Sequence, residues 1–530
     1  MPASKAGARF ELTLGAGLAA LIFSLHPLRV ESVVWATERR DVLSGFFYFL
    51  TIYAYVTADG AGQTYPRRLA LSILFYAFSL LAKGTAMTLP AVLLLLDVYP
   101  LGRLPGTVSA WIKPDYRAIL WEKLPYFSLA AVFALLALLG QESAGALRPV
   151  QQYFISYRIG QAFYALCFYF WKTLLPLQLS PLYELPFDFD AWMPLFYLCG
   201  FAALALTIVL YWLRRDWPAL LASWLYYVII LAPLSGLVQS GSQLVADRYS
   251  YLSCLSLALL LGAGLSRIWA SSVYGSGRSR FIEATAVVLL LALGVMSWRQ
   301  SKIWHDTKTL WRYAIAVAPN STVAHYNLGR TYEDGGVFAE SLENYRRAVE
   351  INPANADAQY NLARLLAKNS MVTEAIAGYR RVLEIRPNDA EAHNNLGLLL
   401  GRQGDFEAAA EKFRLALKID PKYGKAYFNL GRLLADRGEP EKALHSYQRA
   451  LELDPNQPEI LLAMAETLVQ LRRLDDAAIQ LQKVVLLKPD LPDAHTALAR
   501  VLAAQGRKTE AEKHYQEALR LLKKQERPAN

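Results

Sequence analysis

The 530 residues contain three cysteines, Cys167, Cys199 and Cys254. All lie inside apolar stretches without a Cys-x-x-Cys or Cys/His spacing, so there is no thiolate metal motif and no disulfide framework. Charge is also thin. Asp, Glu, Lys and Arg make up 19% against 54% apolar residues, with mean hydropathy +0.20, which is too apolar for a chain lying wholly in water. No basic run with interleaved aromatics occurs, so nucleic acid is not an expected partner despite the net charge of +10. Lys and Arg on short loops beside a membrane produce such an excess. A P-loop, a dinucleotide fingerprint, Gly-x-Ser-x-Gly and His-Glu-x-x-His are all missing. Lys5 and Arg9 precede an apolar run, but His26-Pro27-Leu28-Arg29 follows it where a signal peptide needs small residues for cleavage.

What is present divides the chain. Apolar residues crowd into 1–300, and charge dominates afterwards. A spanning helix needs roughly 20 mostly apolar residues. Ten stretches are candidates: 12–25, 41–58, 68–82, 84–99, 124–140, 158–176, 193–213, 217–235, 248–268 and 282–298. Trp121, Tyr126, Trp192, Trp217 and Trp298 lie near their ends, at headgroup level. Arg214-Arg215 and the Arg267/Arg278/Arg280 loop are short and basic and belong in the cytoplasm; the acidic segment Glu184 to Asp190 belongs outside. The last helix then delivers the remainder to the extracytoplasmic side of a bacterial inner membrane or its equivalent.

Pro319, Pro353, Pro387, Pro421, Pro455 and Pro489 recur every 34 residues, the period of the tetratricopeptide repeat (TPR). Small residues recur at Gly329, Ala363, Gly397, Gly431, Ala465 and Ala499, and large ones at Tyr345, Tyr379, Phe413, Tyr447, Leu481 and Tyr515. The small ones let paired helices approach, the large ones fill the gaps, and each proline ends a second helix. The expected fold class is all-α: a polytopic transmembrane helical bundle over 1–300, a connecting helix over 301–319, six repeats over 320–523 as an α-solenoid, and a polar tail over 524–530. Asn327, Asn361, Asn395 and Asn429 repeat on the first helix of each pair, whose exposed side lines the concave face. Such amides suit the backbone of an extended peptide, and the column resembles the asparagine ladder of nucleocytoplasmic O-GlcNAc transferase. His325, His393 and His495 share a column too widely spaced for one metal ion and read as surface polar residues. Asn320-Ser321-Thr322 reads as a helix cap rather than a glycosylation site.

The densest polar run in the apolar half is His26 to Ser44, between two candidate spans. Ionisable groups at membrane depth are costly and mark function. Arg29, Arg39 and Arg40 suit a phosphate or pyrophosphate, while Glu31, Glu38 and Asp41 suit their neutralisation or a metal. An ordinary interfacial loop with internal ion pairs explains the same residues.

The run His26-Pro27…Arg29-Val30-Glu31-Ser32-Val33…Trp35-Ala36…Glu38-Arg39…Asp41-Val42-Leu43-Ser44 resembles the signature of the transmembrane-and-TPR-repeat-containing family. Those proteins are similar to protein O-mannosyltransferases and to GT-C-type polytopic glycosyltransferases. Ala82-Lys83-Gly84, Leu96-Asp97, Glu122-Lys123-Leu124-Pro125 and Asp247-Arg248-Tyr249-Ser250 resemble other family stretches. The resemblance implies a lipid-linked sugar donor on a polyprenyl phosphate, a protein acceptor on the TPR face, and an extracytoplasmic active site. It places His26, Arg29, Arg39, Arg40, Lys83, Asp247 and Arg248 as candidates for the lipid phosphate. Glu31, Glu38 and Asp41 become the candidate catalytic groups, with a divalent metal as an optional partner. Against the family pattern the sequence starts where a third helix is expected, so two earlier helices and their acidic loop fall outside it. Two functions stand at this stage: glycosyl transfer, and a non-catalytic membrane-anchored TPR scaffold for protein–protein interaction. Two sides stand for the His26–Asp41 run as well, since crossing counts favour the cytoplasm and the resemblance favours the outside.

Overall fold

The computed structural model describes residues 5–58, 65–143, 155–185, 189–237, 243–271 and 277–525. Most of the acidic stretch after Glu184 and most of the C-terminal polar tail therefore lie outside the described residues. The chain separates into two compact units, Met1–Thr331 and Tyr332–Asn530.

The helices of the first unit are α1 (Lys5–Leu25), α2 (Val30–Val34), α3 (Arg39–Val56), α4 (Tyr65–Ala82), α5 (Leu89–Val98), α6 (Pro114–Trp121) and α7 (Leu124–Ser143). They continue with α8 (Ile155–Leu174), α9 (Phe189–Trp212), α10 (Pro218–Leu231), α11 (Ser250–Ser253), α12 (Leu255–Ala270), α13 (Gly277–Ile303) and α14 (Thr307–Val317). All ten apolar stretches of the sequence are helical. Among the described residues, three helices are long and apolar enough to cross a membrane: Leu124–Ser143, Trp192–Arg215 and Gly277–Ile303. The number rises to five if two bent pairs each count as one span, Glu11–Leu25 with Pro27–Val34 (59°) and Asp247–Ser253 with Leu255–Ala270 (56°). The expectation of ten spans falls to these among the described residues: the helices Arg39–Val56, Tyr65–Ala82 and Ile155–Leu174 are not among the long apolar ones, and Gly84–Val98 and Pro218–Leu234 are short. At 1.5 Å per residue, such segments rise roughly 22–26 Å, below a core of about 30 Å.

Helix pairs in this unit close on small and hydroxyl residues, as expected where lipid removes the hydrophobic drive for helix association. Ser44 Oγ meets Ser79 Oγ at 3.1 Å and donates to the Ser79 carbonyl at 3.0 Å, while Ser72 Oγ donates to the Thr51 carbonyl at 2.9 Å, joining α3 to α4. A Cβ added at Gly262 would stand 2.5 Å from the Gly15 carbonyl oxygen, so α12 crosses α1 at backbone contact. One small antiparallel pairing departs from the all-α class, β1 (Tyr183–Glu184) with β2 (Gln243–Val245).

Twelve helices carry the repeats: α15 (Thr322–Asp334), α16 (Phe338–Ile351), α17 (Ala356–Lys368), α18 (Val372–Ile385), α19 (Ala390–Arg402) and α20 (Phe406–Ile419). The rest are α21 (Gly424–Asp436), α22 (Pro440–Leu453), α23 (Pro458–Gln470), α24 (Leu474–Leu487), α25 (Pro492–Ala504) and α26 (Lys508–Gln525). The packing logic of the columns is visible in the second unit. A Cβ at Gly397 would lie 2.8 Å from Phe413, and one at Gly431 2.6 Å from Tyr447, so the small column exists to admit the large one. Tyr345, Tyr379, Phe413, Tyr447 and Leu481 are buried, whereas Tyr515, on the last helix, is exposed.

Candidate functional site

Four separate turns bring the polar cluster together. Pro27 has no N–H to continue α1, so the helix stops at Leu25 and His26 adopts an extended backbone. His26 Nδ1 accepts from the Leu28 N–H at 3.3 Å and Nε2 donates to the Thr173 carbonyl at 3.0 Å, which fixes a neutral ring. The turn before α3 supplies Glu38, the first turn of α3 supplies Asp41, the turn after α4 supplies Lys83, and the turn before α11 supplies Asp247 and Arg248.

Arg248 donates to Glu31 twice, Nη1 to Oε1 at 2.5 Å and backbone N to Oε2 at 2.8 Å, and its Nε lies 3.9 Å from Glu38. Its guanidinium also sits over the Trp35 and Tyr249 rings, 5.5 and 5.1 Å from their centroids. Lys83 Nζ bridges Glu38 and Asp41, 2.6 Å from each, and Ser32 Oγ donates to Asp41 at 3.2 Å. Arg40 reaches Glu38 at 3.3 Å from a side chain that is 56% exposed, so Glu38 is the carboxylate linked to the rim. Burial pushes the Glu38 carboxyl up, but the Lys83 hydrogen bond and charge, then Arg248 and Arg40, bring it below the ordinary carboxylate range. Asp247 is buried and accepts from Tyr183 Oη at 3.0 Å. Arg39 is exposed and makes no ion pair among the described residues. Three carboxylates thus face three cations, and no group of three His, Cys, Asp or Glu comes together as a metal site among the described residues. The donor set does not fit a divalent ion, because Lys83 and Arg248 already hold the places one would take.

Arg29 differs from its neighbours. It is buried, and no carboxylate lies within ion-pair distance among the described residues. Its Nη1 donates to Ser250 Oγ at 2.7 Å, the guanidinium lies 4.7 Å from the Phe23 ring centroid, and Nε has no partner. Arg29 and His26 form the polar end of a cavity of about 200 Å³ otherwise lined mainly by apolar side chains, including Ile22, Leu261, Leu289 and Leu293.

A second ion network joins residues that the sequence showed only as separate family-like stretches. Asp97, fully buried, accepts from Tyr55 Oη at 2.8 Å and pairs with Lys123 at 2.7 Å and Arg103 at 3.1 Å, and Arg103 also holds Glu122 at 2.8 Å. Its signal was isolated ionisable residues at the edges of apolar runs, spread over 68 positions.

The side of the cluster follows from its contacts. Trp35 stacks on Trp304 at 5.7 Å, directly after α13. Tyr183, which holds Asp247, precedes Glu184, whose Oε2 accepts from Ser321 Oγ at 2.8 Å and from the Val323 N–H at 3.2 Å, at the start of α15. Burial pushes the Glu184 carboxyl up, partly offset by those hydrogen bonds. Within the first unit the cluster therefore lies on the same side of the bundle as residues 304–323. Ser321 Oγ accepts from the Ala324 N–H at 3.1 Å, so the Asn320-Ser321-Thr322 stretch does cap a helix.

In the repeats, all four ladder asparagines are half-buried. Asn327 Nδ2 donates to the Val323 carbonyl at 2.9 Å, and Asn361 Oδ1 accepts from Arg364 at 3.3 Å. Asn395 Nδ2 donates to Tyr360 Oη at 2.9 Å, and Asn429 Nδ2 to Asn394 Oδ1 at 2.8 Å, so neighbouring repeats are tied together through this column. The histidine column corrects the sequence expectation. His393 and His495 are buried, and His325, His393 and His495 each point Nε2 at the carbonyl of the proline six residues back, at 3.1, 3.0 and 3.1 Å. Proline ends the previous helix and leaves carbonyls that these rings satisfy.

Comparison with known proteins agrees with this organisation. Tetratricopeptide repeat family models match residues 326–390, 372–424, 394–458, 434–501 and 492–524. The human protein O-mannosyl-transferase TMTC1 is 26% identical over 371 residues, covering 62% of this chain and 41% of that protein. Human protein O-mannosyl-transferase TMTC4 is 25% identical over 376 residues, 62% of this chain and 48% of that protein. The chain thus spans less than half the length of these relatives. Among solved structures, PilF of Pseudomonas aeruginosa is 24% identical over 38% of this chain and 91% of its own, with a TM-score of 0.34. YrrB, described as a TPR protein with an unusual peptide-binding site, is 26% identical over 34% and 93%, with a TM-score of 0.31. The chain is a membrane protein with C-terminal TPR repeats, and its curated relatives are protein O-mannosyl-transferases.

Proposed function

We propose that this protein is a multi-pass membrane glycosyltransferase that moves a sugar from a polyprenyl-phosphate donor to a protein acceptor held by extracytoplasmic TPR repeats. The observation that carries this reading is Arg29, a buried guanidinium without a carboxylate at the end of an apolar cavity. An uncompensated buried charge costs several kcal/mol, roughly, and persists where a ligand supplies the counter-charge. A prenyl chain suits Ile22, Leu261 and Leu289, and its phosphate suits Arg29. Transfer also requires the acceptor hydroxyl to lose a proton. Glu38 is the candidate base, because it is the carboxylate that connects to the exposed Arg40. The acceptor itself is assigned to the first helices of the repeats, with Asn361, Asn395 and Asn429 as the polar column.

The test is binding of a short-chain prenyl phosphate to the full chain in detergent, with transfer from the matching sugar-linked lipid to a peptide. Arg29→Gln should weaken lipid binding about tenfold or more, and Glu38→Gln should abolish transfer while keeping lipid binding. A second reading, the non-catalytic scaffold, is favoured by the carboxylates being matched to cations. It wins if Arg29→Gln changes nothing while Asn361→Ala with Asn395→Ala abolishes partner binding.

A further inference from the structure

The segment between α5 and α7 is too short and too polar to span a membrane, yet it exposes apolar side chains. A 3-10 turn, Val108–Ile112, precedes the 8 residues of α6. Val108 is 66% exposed, Ile112 74% and Trp121 68%. Lys113, Arg117 and Trp121 follow one another at four-residue spacing, so they share one face of α6, and all three are exposed. Among the described residues no carboxylate lies within ion-pair distance of Lys113 or Arg117, and Asp115 is the one acid between Leu104 and Trp121. Arg67 and Arg68, in the first turn of α4, are exposed as well.

Two anchors hold this segment at a membrane surface, at the end of the bundle away from the polar cluster. The first is α7, a candidate span that starts at Leu124, directly after Glu122 and Lys123. Three extended residues reach at most roughly 10 Å, so Trp121 cannot leave the end of that span by more. The second is the Asp97 network. Asp41 and Lys83 mark the cluster end of α3 and α4, 2.6 Å apart. Tyr55 lies near the other end of α3, roughly 21 Å along the helix from Asp41. Its hydroxyl accepts from Arg103 Nη1 at 2.6 Å, and Arg103 Nη2 reaches Tyr65, the first residue of α4, at 3.5 Å. The same Nη2 holds Glu122, directly after α6, at 2.8 Å. Arg103 therefore fastens α6 to the ends of α3 and α4 that lie away from the cluster.

A segment at this depth meets lipid headgroups. Indole rings favour that layer, and Lys and Arg reach from it to phosphate oxygens. Exposed apolar groups beside a cationic face suit a segment lying in the plane of the interface rather than crossing it. A choline headgroup already balances its own phosphate. Unpaired cations therefore favour lipids with net negative charge.

We infer that Val108–Trp121 lies in the headgroup layer of the leaflet opposite the polar cluster, and that Lys113 and Arg117 hold anionic phospholipids there. Val108, Ile112 and Trp121 anchor the segment in the layer, and Arg67 and Arg68 add to the attracting field.

The test places an environment-sensitive fluorophore on Ile112→Cys in the full chain, reconstituted in nanodiscs of mixed phosphatidylcholine and phosphatidylglycerol. One lipid or the other carries a nitroxide quencher near its glycerol, at equal mole fraction. Lipid-borne nitroxide should quench the label and aqueous iodide should not. Quenching by the phosphatidylglycerol form should correspond to a local enrichment of about fivefold or more over phosphatidylcholine, shrinking as salt rises. Lys113→Gln with Arg117→Gln should erase that preference with helical circular dichroism unchanged. Arg278→Gln with Arg280→Gln, in another basic loop, should leave it intact. Equal quenching by the two lipids, or a preference that survives Lys113→Gln with Arg117→Gln, overturns the inference. Quenching by iodide alone puts the segment in water, and quenching by neither puts it against protein; either result overturns it too.

Discussion

At the scale of single residues, the site is defined by which charges are matched. Lys83 and Arg248 each lie against carboxylates at 2.6 Å or closer, while Arg29 has a serine hydroxyl, the Cys254 side chain and an aromatic face. These two situations predict opposite mutational signs. Replacing Arg29 by Met removes an unpaired buried charge and should stabilise the fold, by about 1–4 kcal/mol, while abolishing prenyl-phosphate binding. Glu31→Gln leaves the half-buried Arg248 with Glu38 alone, 3.9 Å away, and should cost about 1–3 kcal/mol. Thermal unfolding in detergent, read beside lipid binding, separates them; a lower melting temperature for Arg29→Met would mean that the guanidinium is structural. A second residue-scale prediction comes from backbone geometry. The turn within each helix pair holds one residue at positive φ: Gly336, Ser370, Gly404, Gly438, Arg472 and Gly506. A side chain there costs roughly 1–2 kcal/mol, set against the entropy that glycine adds to the unfolded chain. Ser370→Gly and Arg472→Gly should each stabilise the repeats by about 0.5–1 kcal/mol, measurable as a rise in the urea midpoint of the helical signal.

At the scale of elements, the repeats were legible in the sequence and the membrane helices only in part. Prolines at a fixed period announce helix ends, and the Gly397–Phe413 contact shows why small and large residues alternate. The histidine column was misjudged because its partner is a backbone carbonyl, made available only by the fold. In the apolar half, composition marked ten helical stretches and passed over α2 and α6, and hydropathy carries no information about breaks. The two bends fall at His26-Pro27 and around Cys254, where the polar cluster forms. The Asp97 network stayed hidden because its members are far apart in the chain and share no period. The last helix pair supports a prediction about pH. His495 Nε2 faces the Pro489 carbonyl and so donates there, which makes its Nδ1 the acceptor of His514 Nδ1–H at 3.0 Å. Burial, then the charges of His495 and Lys513, lowers the His514 pKa below 6.5. A depressed folded pKa means that the stability is fully present above the unfolded value and is lost as pH falls through the folded one. Hydrogen exchange in α25 and α26, corrected for intrinsic rates, should therefore quicken between about pH 7.5 and pH 5.5, and His514→Gln should flatten the change. Unchanged protection across that range would remove the pair from any account of stability.

At the scale of the whole molecule, two long candidate spans lie next in sequence to residues that touch the candidate site. The span Trp192–Arg215 begins a few residues after Glu184 and ends at Arg214-Arg215, and Gly277–Ile303 runs from Arg278 and Arg280 to Trp304. At 1.5 Å per residue each covers roughly 36–40 Å, enough to put its two ends on opposite sides of the bilayer. Residues flanking their near ends meet the cluster, through Tyr183 on Asp247 and Trp304 on Trp35; Arg214-Arg215 and Arg278/Arg280 lie at the far ends, and Arg299 and Lys302 at the near end of the second. Crossing counts over ten spans favour the other side, and they treat short and bent helices as full spans. Short basic loops stay in the cytoplasm, so the cluster and the segment leading into the repeats should both face outward. Substituted-cysteine labelling checks this directly. In sealed vesicles of known orientation, an impermeant maleimide should reach Thr37→Cys and His305→Cys from the extracytoplasmic side and Asp216→Cys only from the other. Background should be low, since Cys199 and Cys254 are buried and Cys167 is half-buried. If Thr37→Cys and His305→Cys label from opposite sides, the cluster cannot serve an acceptor held by the repeats, and the transferase reading falls with it. If both label from the cytoplasmic face, the shared geometry survives, but a lipid-linked donor presented outside cannot reach Arg29.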